Sequence, residues 1–197
     1  AFNGVLIDVT ERKIAELGLE IVAGVVPALL DPAPRASIVQ RVLERLGAGV
    51  GADRAYIFEV HPSADQTQIL ASQRYEWCQD GITPQIQNPE LQNLAFEERF
   101  PRWLTLLRGD QAVIGRIADF PADERELLEA QEIQSVLVVP VTLRGRLWGF
   151  LGFDAVSQLR AWSTSEERVL RVTAAALGAT IEQERMVEAL RESEERL

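Results

Sequence analysis

Apolar and polar positions along this 197-residue chain change their period several times, and each change marks an element. The densest apolar stretch is Val136 to Asp154, VLVVPVTLRGRLWGFLGFD. Two nearly continuous apolar runs flank a basic turn, Arg144-Gly145-Arg146, which is the pattern of a β-hairpin covered on both faces. Further upstream, Gly4 to Asp8 is a short strand-like run, and Thr10 is placed to cap a helix. Helical spacing follows at Ile14, Leu17, Ile21, Val25 and Ala28, with a kink expected at Pro27 and a stop at Asp31-Pro32-Ala33-Pro34. Ser37 to Gly47 predicts a second helix, with Ile38, Val42, Leu43 and Leu46 on one side. Arg54 to Val60 and Ile69 to Trp77 predict a pair of strands joined by the turn His61 to Gln68. Cys78 to Asn88 is irregular. Pro89 to Leu107 predicts a helical segment interrupted at Pro101, Ala112 to Ile117 a strand, and Pro121 to Ala130 an acidic helix.

From Ser163 the chain reads as one helix to Leu197, opened by Ser163-Thr164-Ser165-Glu166 in the form of a capping box. It would be roughly 50 Å long at ~1.5 Å per residue. Its first half carries Val169, Leu170, Val172, Leu177 and Ile181, enough to cover a sheet. Its second half is charged, with Met186, Leu190, Ser193 and Leu197 at heptad spacing. A helix too polar to bury in its own domain packs on a partner or continues into another domain. The element order therefore predicts an α+β domain: a central, mainly antiparallel sheet of about six strands, helices on both faces, and long N- and C-terminal helices.

Composition narrows the chemistry. Hydrophobic residues are 47% and charged residues 25%, sufficient for a core, and the net charge of −10 argues against nucleic acid and anionic membranes as partners. No apolar run approaches the ~20 residues of a membrane span, and the first residues lack a secretory pattern, so a cytoplasmic location is expected. Cys78 and His61 are single residues of their kinds, which leaves no Cys/His zinc set and no internal disulfide. His61 reads as a turn residue. Asp123, Glu124, Glu126 and Glu129 read as the solvated face of a helix.

Three segments carry a family likeness. They are Gly51-Ala52-Asp53-Arg54-Ala55-Tyr56-Ile57-Phe58, the hairpin Ser135–Val141 with Leu147–Asp154, and Arg160-Ala161-Trp162-Ser163. With Trp77-Cys78-Gln79-Asp80-Gly81-Ile82 and Pro101-Arg102-Trp103, they resemble the GAF domains of bacterial multidomain sensor proteins. Gly4 to Lys13 resembles the end of a PAS domain, and Leu190 to Leu197 the helix entering another. The resemblance implies a division into residues 1–13 (PAS-like remnant), 14–35 (linker helix), 36–183 (GAF-like sensor domain) and 184–197 (signalling helix).

It also implies a non-catalytic regulatory module of a histidine kinase or cyclic-dinucleotide enzyme, relaying a signal to other domains of the same polypeptide. Family pockets lie over the sheet, which nominates Trp77, Cys78, Phe96, Arg99, Trp103, Phe153 and Asp154 as ligand-binding residues, with Arg102 nearby. Ile14, Leu17, Ile21, Met186, Leu190 and Leu197 are nominated for a parallel homodimer of terminal helices. The family's cofactors are each disfavoured. Cys78 is followed by Gln79 rather than histidine, against a covalent bilin; haem has only His61 or Cys78 to ligate it; and the lone Lys13, with no Glu after Phe153-Asp154, departs from the cyclic-nucleotide pattern. One cysteine also rules out the relay of the GAF domains that reduce methionine sulfoxide. The competing readings are a structural dimerisation spacer whose tryptophans fill the core, and a thiol redox sensor at Cys78.

Overall fold

The computed structural model describes residues 12–14, 16, 18–20, 23–24 and 35–194. Among these, α1 (Arg35–Val50) leads into β1 (Arg54–Pro62) and β2 (Ile69–Cys78). A short strand β3 (Leu94–Ala95) precedes the helices α2 (Phe96–Arg99) and α3 (Pro101–Arg108). Then come β4 (Val113–Arg116), α4 (Ala122–Glu129), β5 (Ser135–Leu143), β6 (Arg146–Ala155) and the long α5 (Thr164–Glu194). The six strands lie in the order β3-β2-β1-β6-β5-β4, every pair antiparallel.

The α+β expectation with helices on both faces is what the chain adopts. The strand-like run Gly4 to Asp8 lies outside the described residues, and β3 falls inside the segment read as helical. Pro89–Leu91 there forms a single 3₁₀ turn capped by Asn88, whose side chain accepts from the Glu90 N–H. The Thr10 cap, the Pro27 kink and the Asp31–Pro34 stop also lie outside the described residues.

The hairpin turn is the two-residue Arg144-Gly145, both at positive φ (48° and 75°), the backbone twist that joins antiparallel strands tightly. Because side chains alternate across each strand, the sheet builds two cores. On one face Ala55, Ile57, Leu137, Val139, Leu151 and Phe153 pack against α1 and α5. On the other, Tyr56, Phe58, Val136, Val138 and Phe150 pack beneath a cap formed by α2, α3 and α4.

The capping box forms as read: the Ser163 N–H donates to Glu166 (2.6 Å) and the Glu166 N–H to Ser163 Oγ (3.2 Å). Arg160 binds the carbonyls of Val50 and Gly51, pairs with Glu166 and lies over Trp162, so the start of α5 is fixed to the end of α1. Further along, the Arg144 N–H donates to Glu182. From residue 183 to 194 every position of α5 is exposed, so its second half leaves the domain. Met186 and Leu190 are exposed there. Ile14 is corrected: it is buried in this chain's own core, in the cluster that includes Val169, Leu170 and Ile181 of α5, so it is covered within the chain. Leu17, Ile21 and Leu197 lie outside the described residues.

Candidate functional site

Between the sheet and the cap lies a cavity of about 50 Å³. Its floor is aromatic: Phe58 and Phe150 stack at 4.8 Å across β1 and β6, and Phe96 stacks on Phe150 at 5.4 Å. Phe100, Trp103, Leu94 and Leu128 are among the residues that continue the apolar wall. The remaining wall is polar, from Tyr56, Gln73, Glu76, Gln85, Gln131 and Asp154.

The polar wall is organised by Arg54, only 1% exposed at the first position of β1. Its Nε donates to the Thr83 carbonyl and its Nη2 to that of Gln131, tying together the two loops that rim the cap. Nη1 stands 3.6 Å from Asp154 Oδ2, an ion pair too long for a hydrogen bond, and has no hydrogen-bond partner. Tyr56 donates its hydroxyl to Asp154 Oδ1 at 2.8 Å. Glu76 accepts the Gln85 and Ile86 N–H groups, which shapes the loop after β2. Gln73, 4% exposed, leaves its Oε1 without a hydrogen-bond partner at the cavity wall.

Burial dominates the electrostatics. It raises Asp154 to about 7, outweighing the opposing pull of Arg54 and the Tyr56 hydrogen bond. Burial, then the charge of Asp154, raises Tyr56 well above its ordinary value, so it remains a donor. The linkage follows. Asp154 has a folded value near 7 and an ordinary value of 3.8, so the folded state holds the extra proton between them. The contribution of this group to stability therefore falls as pH rises from about 4 to 7. Melting temperatures of the wild-type chain, measured from pH 5 to 8, are expected to decline relative to Asp154→Asn. Parallel curves would contradict the assignment.

Of the nominated residues, the structure brings Phe96, Trp103 and Asp154 to the cavity. Trp77 and Phe153 are placed on the opposite face, since alternation sets them one position away from Glu76 and Asp154. The Trp77 ring packs against Gly47 of α1, and Phe153 stacks on Trp162 at 5.8 Å. Arg99 is exposed at the end of α2. Cys78 lies two residues beyond Glu76, past the lining residues. Burial followed by the Glu76 charge pushes its thiol up to about 12, which opposes the thiolate a redox sensor needs.

Arg102 is taken by Glu124, which also accepts from the Trp103 indole at 3.0 Å. Glu124 corrects the reading of its helix as a solvated face: it is 2% exposed and locks α4 to α3. His61 sits at the end of β1, where its Nε2 meets Ser72 Oγ at 2.9 Å. Among the described residues, no cluster has the makings of a metal site and no helix is long and apolar enough to cross a membrane.

Solved structures with this fold include a far-red-absorbing protein, JSC1_58120g3, with bound biliverdin IXα. It matches at a TM-score of 0.69 and 16% identity over 85% of this chain and 98% of that one. The phycocyanobilin-bound GAF domain of a cyanobacterial phytochrome matches at 0.66 and 20% over 88% and 96%. The GAF3 domain of Slr1393 from Synechocystis sp. PCC6803 matches at 0.64 and 21% over 79% and 98%. These structures correct the exclusion of bilins drawn from Cys78-Gln79, because the shared fold is one that holds them.

In sequence, the chain is 42% identical over 141 residues to the methanogenesis regulatory histidine kinase FilI of Methanothrix harundinacea (strain 6Ac), covering 72% of this chain. It spans only 16% of that relative's length. The GAF domain model matches residues 34–181, and the chain belongs to the GAF domain family.

Proposed function

We propose that this chain is a regulatory sensor module that binds a small ligand beneath its cap and carries out no catalysis itself. The observation that carries the reading is the arrangement around β6. Asp154 faces the cavity, while its neighbour Phe153 faces the other core and stacks on Trp162 at the entry to α5. A ligand that moves Asp154 therefore acts on a strand whose next residue supports the output helix. Two packed arrangements of α5 would then be populated differently with and without ligand. The histidine kinase relative supports an output of that class, with residues 14–35 as a linker from a PAS-like segment at 1–13 and residues 184–197 as the signalling helix towards a next domain.

A panel of metabolites tests the ligand reading by thermal shift on the wild-type chain and on Leu94→Trp, which places a large ring at the cavity rim. A bound ligand at one hundred times its Kd stabilises by about 2.7 kcal/mol. The expected result is a compound that raises the wild-type melting temperature and leaves the variant unmoved. No compound acting on the wild type, or equal shifts in both, would overturn the reading.

A bilin is the second reading, favoured by the bilin-bound structures that share the fold. Visible absorbance after mixing the chain with biliverdin or phycocyanobilin decides it: a protein-bound spectrum supports it, and the spectrum of the free pigment opposes it.

The exposed Met186, Val187 and Leu190 of α5 suit a parallel pairing with a second copy. Sedimentation is expected to give a dimer that becomes monomeric with Leu190→Glu; a monomer at high concentration would remove the pairing.

A further inference from the structure

The chemistry of the cavity wall restricts what it can hold, and this inference rests on the reading that the cavity is the sensory site. Aromatic faces present negative quadrupole charge, and Phe58, Phe96, Phe100, Trp103 and Phe150 line the cavity beside an equal number of aliphatic side chains. Its polar part includes one buried acceptor left unfilled and two carboxylates, of which Glu76 also accepts the Gln85 and Ile86 N–H groups. The buried Gln73 Oε1 has no partner. The Gln131 Nε2 is spent on the Leu127 carbonyl, and the Tyr56 hydroxyl is spent on Asp154.

Two carboxylates, Glu76 and Asp154, line the space, and the Glu76 charge is felt at Asp154. Among the described residues Arg54 is the cation acting there, set behind the wall: two of its nitrogens go to loop carbonyls, and its Nη1 faces Asp154 Oδ2 at 3.6 Å without a hydrogen bond. No arginine or lysine side chain pairs with Glu76 among the described residues. An unfilled acceptor, two carboxylates against one guanidinium, and a ring-lined floor together call for a positive charge with an N–H and an apolar body. The volume of about 50 Å³ accommodates about four water-sized atoms.

We propose that the cavity binds a short alkylammonium ion, its N–H directed at Gln73 Oε1, its charge held by the nearby Glu76 and Asp154 carboxylates, and its alkyl groups against the Phe96, Phe150 and Trp103 rings. The occupant is a cation no larger than trimethylammonium. An anion is repelled by the two carboxylates, and a neutral alcohol leaves the excess negative charge uncompensated. The groups facing Asp154 are Arg54 and Tyr56 from β1 and Glu76 and Cys78 from β2. A cation favours ionised Asp154, so binding weakens as pH falls below about 7, by up to about tenfold per unit.

The test is titration calorimetry on the full 197-residue chain with trimethylammonium chloride, isopropanol and sodium acetate, three solutes of equal heavy-atom count. Glu76→Gln, checked for an unchanged fold by its melting curve, is titrated alongside. The expected result is saturable binding of trimethylammonium, at least tenfold tighter than either other solute, weaker at pH 6 than at pH 8, and reduced at least tenfold in Glu76→Gln. Equal or tighter binding of isopropanol or acetate would overturn the cation while leaving the cavity as a ligand site. Unaltered trimethylammonium binding in Glu76→Gln would place the cation elsewhere and overturn the proposal. Binding of none of the three would also overturn it, and the Leu94→Trp panel then decides the sensory site independently.

Discussion

Gly149→Ala is expected to cost about 3–5 kcal/mol and to lower the melting temperature by about 10 °C or more. Gly149 pairs with Glu59 and Val141 in the middle of the sheet. A Cβ built there falls 2.0 Å from the Phe58 carbonyl oxygen, and 3.2 Å from the Glu59 Cα. Both are backbone atoms of β1, so no side-chain rotation relieves the overlap, and β1 and β6 have to part. That separation also disrupts the Phe58–Phe150 stack and the Arg54–Asp154 pair, which span the same two strands. Gly81→Ala is the control. Gly81 has φ +86° and nothing within 4 Å of its added carbon, so only the left-handed backbone is penalised, at about 1–2 kcal/mol. Urea denaturation of both variants checks the contrast, and equal losses would refute it.

Glu124→Ala is the second large effect. The carboxylate receives Arg102 Nε at 2.8 Å and the Trp103 indole at 3.0 Å. Its removal leaves the Trp103 N–H buried without an acceptor, a penalty of about 1–3 kcal/mol. Losing one member of a buried ion pair costs about 3–5 kcal/mol when both are enclosed, but the Arg102 side chain is 40% exposed and turns to water. The combined loss is therefore about 2–3 kcal/mol. The damage is local as well as global. Glu124 is what joins α4 to α3, and Trp103 lines the cavity, so hydrogen exchange should accelerate in residues 96–129 more than in β5 or β6. Uniform acceleration across the chain would contradict the role as a cap lock.

The elements with strong local signals were legible in the sequence. The covered hairpin showed itself as two unbroken apolar runs. The start of α5 showed itself in Ser163 and Glu166, whose reciprocal bonds are present. The polar second half of α5 was equally plain, because residues 183–194 have no apolar face wide enough for the domain. What escaped notice depends on contacts far apart in the chain. β3 is two residues long and is held as a strand only by β2, so no periodicity announces it.

Glu124 sits among acidic neighbours that are exposed, and only the approach of Arg102 and Trp103 from α3 buries it. Gln73 and Glu76 carry no mark of their own within the strand-like run Ile69 to Trp77. They are enclosed by the loop after β2 and by the cap, neither of which has a pattern. The bulge between Ile57 and Phe58 opposite Arg74 also shifts the alternation along β2. Trp77 and Phe153 were nominated for aromatic character, but strand parity sends them to the α1 and α5 side.

Amide and indole NMR spectra of the 197-residue chain, titrated with the compound giving the largest thermal shift, test the central claim most directly. Saturable changes are predicted at Gln73, Tyr56 and Asp154, and with the same midpoint at Phe153, the Trp162 indole and residues 164–194. Changes confined to surface positions, or cavity changes with α5 unmoved, would contradict a ligand-driven relay through β6.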